Sequence, residues 1–146
     1  MKRIECGSLW LPELCRRIEY TPGPAAQTIV CIDDNKLLAG TVYDHYNGST
    51  VNAHIYVNEA PTREWWVAIF DYPFNVLKVR KLVGQVPSTH SAALRLDKNF
   101  GFVEEARIKD FYSEGDDLVI FTMTRDQCKV LNSERWRSVV NRVRKT

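Results

Sequence analysis

The stretch from Val83 to Phe102 constrains the fold more than any other part of this chain. It reads as an apolar strand stopping at Pro87, a short helix, a glycine and a new strand. Ser88 or Thr89 is placed to cap the helix, because either hydroxyl can accept a hydrogen bond from a free first-turn amide. Ala92, Ala93, Leu96 and Phe100 follow at helical spacing and form one apolar face. Lys98 and Asn99 fall in the last turn, and Gly101 stands where a left-handed cap is usual. Phe102 restarts the chain as a strand. Strand, helix and strand in succession predict a crossover between parallel neighbours, right-handed by default. The sheet that contains it is then mixed and covered by helices.

The rest of the chain supplies such a sheet. Ile4 to Cys6 reads as a short strand, and Leu9 to Tyr20 as a helix with Leu11, Leu14, Cys15 and Ile18 on one face and Ser8 as its cap. Thr21-Pro22-Gly23-Pro24 ends that helix. Three strands follow at Thr28–Ile32, Leu37–Tyr46 and Thr50–Asn58, joined by the polar turn Asp33–Lys36 and by Asn47-Gly48, a strong hairpin signal. In the third, Val51, Ala53, Ile55 and Val57 face one way, and Asn52, His54, Tyr56 and Asn58 the other. Thr62 caps a helix in which Trp65–Ile69 and Trp66–Phe70 pair one turn apart, and Pro73 ends or kinks it near Tyr72. A strand at Val79–Val86 leads into the organising stretch. A final hairpin joins Phe102–Phe111 to Leu118–Met123.

A chain of 146 residues is expected to form one domain with a core that needs no staples. Its net charge of +2 argues against broad electrostatic binding of nucleic acid. No run of about 18 apolar residues predicts a membrane span, and Met1-Lys2-Arg3 leads to Glu5 rather than to the apolar core of a signal peptide. The four cysteines, Cys6, Cys15, Cys31 and Cys128, contain no Cys-x-x-Cys pair, so reduced thiols in a cytoplasmic protein are expected and no metal site.

The organising helix resembles the closing helix of the GCN5-related N-acetyltransferases (GNAT), whose pattern there is roughly Asn-x-x-Ala/Ser-x-x-Leu-Tyr-Glu-Lys-x-Gly-Phe. His90 stands at the asparagine, Ala93 at the small residue and Leu96 at the leucine. Asp97 stands at the tyrosine, Lys98-Asn99 replace Glu-Lys, and Gly101-Phe102 match. The order of elements fits from about Leu9 to Met123, with the family's second early helix compressed or lost between Tyr20 and Gln27. The resemblance implies an α+β GNAT fold over residues 1–124, with a mostly antiparallel mixed sheet flanked by helices. It also implies that the strands at Thr50–Asn58 and Val79–Val86 splay apart around acetyl-CoA. Residues 125–146 are a basic helical extension. Arg125–Leu131 is expected as one helix, and a second, capped by Asn132 or Ser133, carries Trp136, Val139, Val140 and Val143 on one side. Met123–Leu131 and Ile69–Phe74 are similar to segments of small acetyltransferase-like proteins of tailed bacteriophages, which implies a phage or prophage origin and an infected bacterial host.

Under this resemblance Ile55, Tyr56 and Val57 on the splayed strand, Thr62 and Arg63 at the helix start, and His90 would contact the cofactor. The family's phosphate loop, Arg/Gln-x-x-Gly-x-Gly/Ala, is replaced here by Asn58-Glu59-Ala60-Pro61-Thr62-Arg63-Glu64-Trp65, without a glycine. Arg63 could supply charge to a phosphate, and Trp65 and Trp66 could stack on the ligand, block it or belong to the core. Glu59 and His54 are the polar candidates for a base, with Glu59 carried forward. Asp97 is the candidate acid, although an aspartate titrates near 4 unless burial raises it. Tyr56 and Tyr72 are alternatives in space. The function implied is acetyl-CoA-dependent N-acetyl transfer to an amine of a protein or small molecule. The alternatives are a catalytically silent GNAT-fold module that binds a host or phage protein, and nucleic-acid binding through Arg135–Lys145.

Overall fold

Two blocks of antiparallel strands meet at a single parallel pair. The computed structural model of the chain describes residues 1–145; Thr146, at the end of the 125–146 extension, lies outside the described residues. The strands are β1 (Lys2–Gly7), β2 (Gln27–Asp33), β3 (Lys36–Asp44), β4 (Thr50–Val57), β5 (Lys81–Pro87), β6 (Val103–Ser113) and β7 (Asp116–Met123). They form a seven-stranded sheet in the order β1-β2-β3-β4-β5-β7-β6. Only β4 and β5 run parallel. The helices are α1 (Leu11–Arg17), α2 (Arg63–Asp71), α3 (Ser91–Phe100), α4 (Lys129–Asn132) and α5 (Arg137–Lys145). This is the α+β architecture that the element order predicts.

Strand alternation divides the core in two. Val51 and Ala53 of β4 and Phe121 and Met123 of β7 point to the face covered by α2, where Trp65, Ile69 and Phe70 meet them. The opposite faces of β2 and β3 place Val30, Ile32, Leu37 and Val42 under Leu14 and Cys15 of α1. Gly40 permits that approach, since a Cβ there would lie 2.7 Å from the Leu14 side chain.

Several helix ends differ from expectation. α1 begins after Trp10 with no side-chain cap, so Ser8 does not cap it. It ends early because Glu19 turns the chain at φ 53°, and no helix follows before Gln27. α2 is capped as predicted: the Thr62 hydroxyl accepts from the Trp65 amide at 3.2 Å. Pro73, which has no N–H, converts the end of α2 into a π-type turn over Tyr72–Val76. Neither Ser88 nor Thr89 caps α3. The cap residue is His90, while the Ser88 hydroxyl accepts from the Asp117 amide at 2.8 Å and the Thr89 hydroxyl donates to Asp116 at 3.1 Å. Their partners lie on β7, which local spacing does not show. At the other end of α3, Gly101 adopts φ 112° and Phe102 N–H bonds the Asp97 carbonyl, closing the helix as predicted.

Cys128 and Val130, beyond Met123, belong to the same core. The expected single helix over Arg125–Leu131 is split into a short 3-10 turn at Arg125–Gln127 and α4. A second 3-10 turn, Glu134–Trp136, leads into α5. Trp136, Val139 and Val140 pack into the cluster that contains α2. Arg142 pairs with Glu64 at 2.7 Å, and the Arg63 guanidinium donates to the Arg135 carbonyl at 2.9 Å while lying 4.7 Å from the Trp136 ring centre.

Gly101 joins α3 to this extension. A Cβ at Gly101 would stand 1.9 Å from the Gln127 carbonyl oxygen on a left-handed backbone, whereas Gly48 has φ 88° and nothing within 4 Å. Gly101→Ala is expected to cost more than about 2 kcal/mol in urea unfolding, and Gly48→Ala about 1 kcal/mol. Equal losses would show that the close seat of the extension on Gly101 contributes nothing.

Candidate active site

β4 and β5 are paired only from Thr50–Asn52 to Lys81–Val83, three residue pairs. Above that point each follows its antiparallel partner. β4 stays with β3 as far as Val57 opposite Ala39, and β5 stays with β7 as far as Pro87 opposite Leu118. The gap between them is a cavity of about 710 Å³. Ala53, His54 and Ile55 form its β4 wall, Gly84 to Pro87 its β5 wall, and His90, Ala93, Leu96 and Asp97 its α3 wall. On the sheet face that carries α1, Arg17 to Tyr20 form one lip, and Tyr112 and Asp116 of the last hairpin form the other. The slot therefore runs through the sheet. Backbone groups of β4 that face this gap have no strand partner and must find one in water or a ligand.

Asp97 is a carboxyl group in the wall of this slot. It lies on the inner face of α3, only 9% exposed, opposite Gly84, where a Cβ would be 3.8 Å from its Oδ2. Burial alone pushes its carboxyl up from 3.8 to about 7. At neutral pH it therefore holds a proton far more readily than an exposed aspartate does.

His54 lies on the α1 side of β4. Its ring stacks on Tyr20 with centroids 4.1 Å apart, and its Nε2 is buried without a hydrogen-bond partner among the described residues. Burial lowers its pKa below the usual histidine value, so the ring is neutral at pH 7. Tyr20 is itself fixed, its hydroxyl donating to the buried Asp44 at 2.6 Å. Asp44 also accepts from the amides of Gly23 at 2.7 Å and His45 at 2.9 Å. Burial opposes ionisation of Asp44, but these three donors prevail and hold its pKa below the usual range. Tyr20 and Asp44 had no local signal in the sequence. One closes a helix and the other ends a strand, and the turn at Glu19 with the loop after it brings them together.

The remaining site candidates fall on both sides of the slot wall. Ile55, His90 and Asp97 reach it. Tyr56 points to α1, where its hydroxyl accepts from Arg17 at 3.2 Å. Val57 ends β4 beside Ala39 and is 39% exposed. Thr62 is occupied as a cap, and Arg63 by the extension. Glu59 lies outside the slot wall and pairs with Lys36. The structure does not bring Glu59 and Asp97 together. Trp65 is fully buried and donates its Nε1 proton to the Ile29 carbonyl, while Trp66 packs on Phe100 with centroids 4.6 Å apart. Neither indole fills the gap. Among the described residues no group of three or more His, Cys, Asp and Glu could hold a metal ion, and no helix is long and apolar enough to cross a membrane.

No protein-family model matches the sequence, and no curated protein does. Solved structures do match by shape. A protein from Desulfovibrio desulfuricans assigned to the acetyltransferases of the GNAT family is similar with a TM-score of 0.64 and 17% identity, over 85% of this chain and 99% of that one. The spermidine N-acetyltransferase of Vibrio cholerae in complex with CoA and spermine is similar with a TM-score of 0.61 and 19% identity, over 80% of this chain and 75% of that one. The same enzyme in complex with manganese ions gives a TM-score of 0.62 and 21% identity, over 85% and 77%. The fold is that of the GNAT acetyltransferases.

The raised pKa of Asp97 has a measurable consequence for stability. The folded state holds its proton more tightly than the unfolded chain, so this contribution is complete below about pH 4 and is lost as pH rises to about 7. The displacement from 3.8 to about 7 corresponds to at most about 4 kcal/mol. Asp97→Asn should remove that slope and be more stable than the parent at pH 8 by about 2–4 kcal/mol in urea unfolding. Parallel pH profiles for the two proteins would contradict the assignment.

Proposed function

We propose that this chain is an N-acetyltransferase that receives an acyl thioester and an amine from opposite faces of its sheet. The observation that carries the reading is the slot through the sheet with a buried, proton-holding Asp97 in its wall. The shape neighbours support it, since one of them is described in complex with CoA and spermine. Ala53, Ile55, Val86, Ala93 and Leu96 give the slot an apolar lining that fits the thioester arm of acetyl-CoA. A thioester bound there would supply an activated carbonyl and a thiolate that takes up one proton. Asp97 holds a proton on the α3 side. His54, neutral at pH 7, is the ionisable group of the β4 wall and accepts a proton from an amine. The β4 amides that lost their strand partner stand as donors to a developing oxyanion.

The α1-side lips favour a cationic acceptor. Glu19 and Asp116 place carboxylates there, while Arg17 on the same lip is bound to Glu13 at 2.8 Å. Tyr20 and Tyr112 add aromatic surface suited to an ammonium-bearing chain.

The test is thiol release from acetyl-CoA with a panel of primary mono- and diamines. Turnover is expected, highest for diamines. Because Asp97 acts protonated, kcat should fall as pH rises through about 7. Because His54 acts neutral, it should also fall on the acid side, below the usual histidine pKa. Asp97→Asn should lower kcat about 10²-fold and abolish the alkaline limb. Absence of thiol release with every amine would reject the reading.

A further inference from the structure

A helix N-terminus binds phosphate through unpaired first-turn amides and the positive end of its dipole. The N-terminus of α2 follows β4 after the loop Asn58–Thr62, and it is where the resemblance sets the phosphates of the donor. One of its amides and its one arginine are already in use. The Trp65 amide donates to the Thr62 hydroxyl at 3.2 Å. The Glu64 carboxylate lies in the same first turn. That carboxylate brings negative charge to the position a phosphate would take, and Arg142 of α5 holds it at 2.7 Å. Arg63, the cation of this turn, donates to the Arg135 carbonyl and covers the Trp136 ring. The loop contains no glycine through which backbone could close on an anion. Arg95 and Lys98, the cations of α3, are exposed and outside the slot wall. These residues do not fit a diphosphate.

The slot itself fits the other end of such a donor. Its β4 edge presents unpaired N–H and C=O groups beside an apolar lining. A pantetheine arm carries two amides on an extended chain, which can pair with a free strand edge as an added strand does. We propose that this chain recognises its thioester donor through the pantetheine arm, and that the C-terminal extension holds the α2 N-terminus closed to nucleotide phosphates. This inference rests on the slot being a thioester site, as proposed above.

Calorimetric titration of the full chain with CoA, pantetheine and adenosine 3′,5′-bisphosphate tests it without an acceptor. The expected Kd for pantetheine lies within about tenfold of that for CoA, a difference of at most about 1.4 kcal/mol, and adenosine 3′,5′-bisphosphate does not displace CoA. Arg63→Ala should leave the CoA-to-pantetheine ratio unchanged and lower the melting temperature. Pantetheine binding more than about a hundredfold weaker than CoA overturns the proposal. So does displacement of CoA by the bisphosphate, or a loss of CoA affinity in Arg63→Ala that spares pantetheine. Each of these leaves the transferase reading standing. If neither CoA nor pantetheine binds, the slot is no thioester site, and both proposals fall.

Discussion

The structure depends on a competition between strand partners. β4 pairs with β3 over six residue pairs and β5 pairs with β7 over six, but β4 and β5 share only three. Parallel pairing is slightly weaker per residue than antiparallel pairing, and strand twist accumulates across a sheet. Each strand therefore follows its antiparallel neighbour, and the sheet opens between them. Pro87, which has no donor, ends β5 at the open end. The gap exposes a strand edge, and α3 begins at its rim. Gly84 leaves room opposite Asp97, whose carboxyl is buried without a partner among the described residues. The acid's proton affinity follows from that placement.

The C-terminal extension is part of the same physical system. Its apolar residues Trp136, Val139 and Val140 share a core with α2, and its charges answer those of the first α2 turn. Arg142 neutralises Glu64, and the Arg135 carbonyl with the Trp136 ring occupies Arg63. An exposed pair such as Arg142–Glu64 contributes only about 0.2–1 kcal/mol, so the buried apolar side chains anchor the helix and the arginines set where its surface groups point. The positive bias of α5 is thereby partly turned inward on the protein.

What the sequence showed, and what it hid, follow the range of the interactions. The helix from Ser91 to Phe100, its Gly101 stop and the alternation of β4 rest on contacts within one or two turns, and all three were legible. Asp97 was legible as a position in a pattern, but its proton affinity depends on the β5 wall and Gly84. Ser88 and Thr89 carry a cap's chemistry, yet β7 offers them Asp117 and Asp116. Arg63 carries a phosphate ligand's charge, yet its partners lie some seventy residues later, at |i−j| of 72 for Arg135. The Tyr20–Asp44–His54 cluster spans a helix end and two strands and left no trace in local spacing.

The most direct test is amide hydrogen exchange at residues 53–57 and 84–87, with and without saturating acetyl-CoA. An open strand pair that closes on a thioester should show amides in both segments exchanging readily in the free protein and becoming protected on binding, while β2 and β3 stay unchanged. Full protection of both segments in the free protein, or protection by ligand that arises elsewhere and spares them, would contradict the account.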